Sequence, residues 1–133
     1  MKKNNSYRYP KTVREVIEGQ RHYVIDHSHI TEKLPSVTTI LSATQSEEKR
    51  ESLKAWRERV GEEEATRIVD QSGARGTAMH KILEKYILEE GYLDETEIGK
   101  QAHNMALRVI EQGLCNVPEY YGTECTLYYP GLY

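Results

Sequence analysis

The densest set of chemistry-bearing residues runs Ala74-Arg75-Gly76-Thr77-Ala78-Met79-His80-Lys81-Ile82-Leu83-Glu84-Lys85-Tyr86. Wound as a helix, Gly73, Gly76 or Thr77, His80 and Glu84 fall at i, i+3 or i+4, i+7 and i+11, which is one face. An imidazole and a carboxylate one turn apart can share a metal ion or divide acid–base work. Two glycines inside a helix cost about 1 kcal/mol each relative to alanine. Their presence predicts close approach of another backbone, or of a ligand, to that face. The same residues also suit tight helix packing, with His80 and Glu84 in ordinary hydrogen bonds.

Other constellations are weaker. His22, His27 and His29 lie close in sequence, but no Cys is near and the spacing fits no usual zinc finger, so they read as incidental. Tyr7, Tyr9 and Tyr23 with Arg8 and Arg21 offer stacking groups for single-stranded bases, although Tyr23 fits a core position better. Trp56 with Leu53 and Val60 reads as helix core. No Gly-rich phosphate loop, Gly-x-Ser-x-Gly or His-Glu-x-x-His motif is present.

The elements that must position these residues follow from period and punctuation. Two β-prone runs, Thr12–Ile17 and Arg21–Ile25, flank Glu18-Gly19-Gln20 and predict a hairpin. Residues 26–34 read as a polar loop. Ser36 caps a short helix to Ala43, and Ser46 caps a second running to Val60, with Glu47 and Glu48 in its positive first turn. Glu62 to about Glu89 reads as one long helix or two in succession, opened by the acidic run Glu62-Glu63-Glu64. Asp94 starts the last helix, with Glu97 three residues on as in a capping box. Its apolar face is Ile98, Ala102, Met105, Ala106, Val109 and Ile110, and Gly113 ends it. From Tyr120 to Tyr129 the chain is Tyr-rich and β-prone, and a Pro130-Gly131 turn signal follows. That predicts a lone strand of a sheet whose remaining strands lie beyond Tyr133.

The chain is 133 residues, within the range of one domain. It is polar, with 29% charged residues and a net charge of −3. Residues 1–60 hold 12 Lys and Arg against 8 Asp and Glu, whereas residues 61–133 hold 6 against 13. A basic front and an acidic back suit a protein that grips phosphates in one place and cations in another, or simply solvated helix faces. Cys115 and Cys125 are too few for a disulfide scaffold and fit a reducing compartment, most simply the cytoplasm. No apolar run approaches the ~20 residues of a membrane span, and no secretory leader is expected.

Arg-Gly-Thr-x-x-His-x-x-x-Glu, with Leu34-Pro35-Ser36-Val37-Thr38-Thr39-Ile40-Leu41 upstream and Trp56 and Gly61 between, resembles the PD-(D/E)XK nuclease superfamily. The closest group resembles phage exonucleases related to mitochondrial genome maintenance exonuclease, similar also to the nuclease domain of bacterial recombination helicase-nucleases. The resemblance spans roughly residues 21–133. It implies an α/β (α+β), restriction-endonuclease-like fold, of which residues 13–133 form the mainly helical N-terminal part. A small hairpin and the first strand of the catalytic sheet would belong to it, and residues 1–12 would be a polar arm.

The resemblance further implies a Mg²⁺- or Mn²⁺-dependent exonuclease acting on DNA ends or single strands. His80 would be a metal ligand, Glu84 and Glu124 acidic partners, and Glu124 a second metal ligand on the strand entering the sheet. Arg75 and Thr77 would contact a DNA phosphate nearby, or Arg75 would pair with acidic neighbours such as Asp70. Ser36, Thr38 and Thr39 would meet phosphate at a helix N-terminus, or serve as a cap and surface residues. The family's Gly-Thr-x-Asp and (Asp/Glu)-x-Lys strands have no match, since Glu47-Glu48-Lys49 sits at a helix start. The chain alone is therefore expected to be inactive, a DNA- or protein-binding module, or half of a split nuclease completed by a second polypeptide.

Overall fold

The computed structural model describes residues 1–27 and 30–132. Among them the order is β1 (Lys2–Lys3), β2 (Lys11–Ile17), β3 (Gln20–His27), β4 (Ile30–Pro35), α1 (Val37–Ala43), α2 (Glu47–Val60), α3 (Glu62–Ile87), α4 (Glu97–Gln112), a 3-10 turn (Leu114–Asn116) and β5 (Glu119–Tyr120). This is a mixed α+β chain, as expected. It divides into two compact units, described separately. No helix of the described residues is long and apolar enough to cross a membrane.

The first unit comprises Met1–Ser6 and Trp56–Glu124. Gly61 takes φ 96°, a left-handed conformation that breaks the chain between α2 and α3. The long stretch from Glu62 is a single helix through Gly73 and Gly76. Its inner face packs on α4: Ile82, Ala102 and Ala106 are buried, with Ala78, Met79, Leu83 and Tyr92 around them. Two alanines one turn apart let the α4 backbone come close, and burying Ile82 contributes about 1.5–3 kcal/mol. Met105 and Val109, expected on the same apolar face, remain 39% exposed.

The cap of α4 lies two residues beyond the expected Asp94. Thr96 Oγ1 accepts the Gly99 N–H at 3.0 Å, while the Asp94 carboxylate accepts the Thr96 N–H at 3.0 Å and the Thr96 hydroxyl at 2.7 Å. Asp94 thus folds an Asx turn that presents Thr96 as the cap. His103 Nε2 accepts the Asp94 N–H at 3.0 Å, and Lys81 lies 4.7 Å from the Tyr92 ring centroid.

The tail departs furthest from expectation. Only Glu119–Tyr120 is a strand, paired parallel with Lys2–Lys3, and Glu124 is not on a strand. Extended backbone needs hydrogen-bonding neighbours. β1 forms a strand ladder with Glu119–Tyr120, and Glu124 at φ 51° turns the chain out of the extended region.

The second unit comprises Tyr7–Ala55 and the segment from Cys125. The hairpin β2–β3 forms as expected, with Glu18 (φ 50°) and Gly19 (φ 77°) both left-handed, as a type I′ turn requires. Residues 26–34 are not simply a loop. Ile30–Pro35 adds a third antiparallel strand, because Glu32 and Leu34 alternate with Thr31 and Lys33 and place Leu34 beside Tyr23 on the buried face. Thr12, Ile25 and Glu32 form one row across the sheet. The tail crosses that row: Thr12 Oγ1 donates to Thr126 Oγ1 at 3.1 Å, and Gly131 N–H to Glu32 Oε2 at 3.4 Å. Ile25, between these two anchors, is 1% exposed.

Leu53, Trp56 and Val60 do not form the expected core. No residue of α2 is buried and Leu53 is half-exposed, since Leu53, Ala55, Trp56 and Val60 in a 14-residue polar helix give a stripe too narrow to be covered. Tyr23 is half-buried. His22 Nδ1 contacts the Gln20 carbonyl at 3.2 Å. The His27 side chain, His29 and Tyr133 lie outside the described residues.

Candidate functional site

α3 presents Gly73, Gly76, Thr77, His80 and Glu84 along one side, with α4 packed on the other. Two neighbouring residues of the loop after β5 reach this side. His80 Nδ1 lies 3.3 Å from Glu124 Oε1, and the Thr123 hydroxyl donates to Glu84 Oε1 at 3.2 Å. Three side chains that the resemblance grouped, from positions up to 44 apart, are thus brought to one end of α3. His80 and Glu124 are both open to solvent.

Thr123 was not singled out by sequence. Its signal was adjacency to Glu124 within a Gly-Thr-Glu run, whose hydroxyl can hold a carboxylate.

This arrangement does not fit a complete metal shell. Among the described residues no three His, Cys, Asp or Glu side chains converge closely enough to hold an ion. His80 and Glu124 supply two donors facing each other, and Glu84 is engaged by Thr123 instead.

Gly73 and Gly76 have open space where a Cβ would stand, so no protein backbone approaches them among the described residues. The close backbone approach expected at these two glycines is therefore not seen among the described residues. The close approach occurs at Gly99, where a Cβ would collide with the Asp94 carboxyl and carbonyl oxygen.

Arg75 lies elsewhere. Its Nη1 donates to Gln101 Oε1 on α4 at 3.1 Å, and at 3.6 residues per turn it stands about 140° around the helix from His80. It forms no ion pair, with Asp70 or otherwise, among the described residues. Thr77 is exposed on the His80 side.

Ser36, Thr38 and Thr39 belong to the other unit. Ser36 is buried and caps α1, accepting the Thr39 N–H at 3.1 Å, and its Oγ sits 2.9 Å from both threonine hydroxyls. Ser36 N–H and the Thr39 hydroxyl both donate to the Arg21 carbonyl at 3.0 Å. The serine therefore acts as a cap, and the hydroxyl trio ties α1 to the start of β3.

No family model, curated protein or solved structure matches the chain.

Proposed function

We propose that this chain is the His80-bearing helical portion of a restriction-endonuclease-like, PD-(D/E)XK exonuclease. Its role is to engage DNA ends or single strands. The observation that carries this reading is the meeting of His80 and Glu84 with the Thr123-Glu124 pair, since His80, Glu84 and Glu124 are the residues the resemblance groups and Glu124 is remote from the other two in sequence.

Hydrolysis of a phosphodiester by this chemistry needs several carboxylates converging on Mg²⁺ or Mn²⁺ and a lysine to position water. His80 and Glu124 provide part of such a shell and the sequence offers no (Asp/Glu)-x-Lys strand, so no hydrolytic step is assigned to the chain alone. A second polypeptide supplying the remaining sheet would complete it. Because His80 and Glu124 face each other as two donors with Glu84 engaged by Thr123, a second reading is a non-enzymatic DNA- or protein-binding module of the same residues.

An end-labelled single-stranded oligonucleotide separates these readings. Affinity that increases with Mn²⁺ and falls in His80→Ala supports the nuclease site. Metal-independent, strongly salt-dependent binding untouched by His80→Ala supports the module. Mg²⁺-dependent cleavage that disappears in His80→Ala would overturn the statement that the chain alone is inactive.

A further inference from the structure

The β2–β3 turn and α1 flank an open cleft of about 430 Å³, within the ~300–1,000 Å³ of ligand sites. Gly19, Gln20 and Arg21 form one wall, and Thr38, Thr39 and Ser42 the other. The lining holds one cation, no carboxylate and no large apolar side chain. Such walls suit neither an apolar ligand nor a metal ion. They suit an oxyanion, for which a guanidinium offers a planar fork of donors.

Proton accounting shows which groups remain to receive it. Thr39 spends its hydroxyl proton on the Arg21 carbonyl. In the 2.9 Å contact between Ser36 and Thr39, Ser36 must then be the donor. In the matching contact with Thr38, Ser36 has no second proton, so Thr38 donates. Ser36 Oγ, which also accepts the Thr39 N–H, is saturated. Two of the three protons are consumed within the trio and the third on the Arg21 carbonyl, so Thr38 and Thr39 shape the cleft but have no hydroxyl proton left for a ligand. The donors left along its walls are the Arg21 guanidinium, the Gln20 amide and the Ser42 hydroxyl. None of these three groups has a hydrogen bond or ion pair among the described residues.

We propose that this cleft binds a phosphate group of a single-stranded nucleic acid, held by Arg21 with Gln20 and Ser42. The oxyanion chemistry rests on the lining alone; the nucleic acid as its source rests on the function proposed above. The site is separate from His80 in sequence and in structural unit, and the two can be tested independently.

The test titrates labelled dT10 bearing a 5′-phosphate or a 5′-hydroxyl, without metal, over a range of salt. The proteins are the unaltered chain, Arg21→Ala, Arg21→Lys and Ser42→Ala. Arg21→Ala is expected to lose about tenfold in affinity, and the slope of log K against log salt is expected to flatten by about 0.7, the value of one single-strand phosphate contact. Arg21→Lys, which keeps the charge without the fork, falls between, and Ser42→Ala loses a smaller factor. A 5′-phosphate preference that vanishes in Arg21→Ala assigns a terminal phosphate; equal affinities with the same Arg21 dependence assign an internal one. Unchanged affinity and slope in a folded Arg21→Ala overturn the proposal.

A second arm follows backbone amide NMR shifts of Gln20, Arg21 and Ser42 with inorganic phosphate. Saturable shifts without oligonucleotide binding keep the oxyanion site and remove the nucleic-acid reading. Neither shifts nor binding removes both.

Discussion

His80 Nδ1 lies 3.3 Å from Glu124 Oε1, and both side chains are more than half exposed, at 65% and 57%. One helical turn further along α3, Glu84 accepts the Thr123 hydroxyl. Two neighbouring residues of the loop after β5 are thus latched to two helical positions; the His80–Glu124 contact keeps its solvent access, whereas the Glu84–Thr123 contact is part-buried. Exposed ion pairs stabilise proteins by about 0.2–1 kcal/mol. A double-mutant cycle on His80→Ala and Glu124→Ala, read by urea unfolding, should therefore give a coupling below about 1 kcal/mol. A coupling above about 2 kcal/mol would mark the pair as structural and weaken the case for a site.

Acid should loosen the start of α4. The Thr96 hydroxyl, and then the Thr96 N–H, hold the Asp94 carboxyl below its ordinary value of 3.8, against partial desolvation; His103 and Lys81 add smaller attraction. The unfolded chain binds this proton more readily than the folded one. The contribution is therefore complete above the ordinary value and is lost as pH falls through the lower folded one. Helicity measured from pH 5 down to pH 2 should show a loss in this window that is flattened in Asp94→Asn. An acid limb identical in the variant would place the sensitive group elsewhere.

What sequence could convey follows from how local each determinant is. Ser36 and Ser46 mark helix starts by their own hydroxyls, and Gly61 and Gly113 fall at helix breaks, so four helices were legible. β4 was not, because only Ile30 and Leu34 among its residues are apolar and the period-2 signal drowns in Thr31, Glu32 and Lys33. The tail misled in the opposite direction: β-propensity describes fit to a pleated surface and not strand pairing as such, and after Tyr120 the tail forms no strand among the described residues. At the site, helical period placed His80 over Glu84, but Glu124 entered through the family resemblance and Thr123 and the Arg21 cleft through tertiary contacts. Arg75 was legible by type, and its helical phase sets it about 140° around α3 from His80, beside Gln101.

The tail has a role that its strand-like composition did not suggest. It crosses the sheet row Thr12–Ile25–Glu32, bonded at both sides of an Ile25 that is 1% exposed. Removing residues 125–133 should uncover that side chain, at a cost of about 1.5–3 kcal/mol for an isoleucine. Hydrogen exchange of the β3 amides should accelerate, while α3 and α4 amides keep their protection. Unchanged exchange in β3 would mean that other parts of the second unit cover Ile25 without the tail.

Three glycines allow stability and ligand access to be separated. Gly73 and Gly76 sit inside α3 with nothing within 4 Å of a Cβ, so Gly73→Ala and Gly76→Ala should each stabilise the helix by about 0.5–1 kcal/mol. Gly99→Ala must act in the opposite direction, because its Cβ would occupy the space of the Asp94 carboxyl and carbonyl. The melting temperature is expected to rise for the first two and fall for the third. Oligonucleotide affinity then asks why a chain would keep the less stable residues. If a DNA strand approaches α3 on the His80 side, Gly76→Ala should bind more weakly while being more stable, since the added methyl stands where the strand must come close. A variant that is both more stable and equally tight in binding would show that this face of α3 is kept open for no ligand, and would count against His80 as part of a nucleic-acid site.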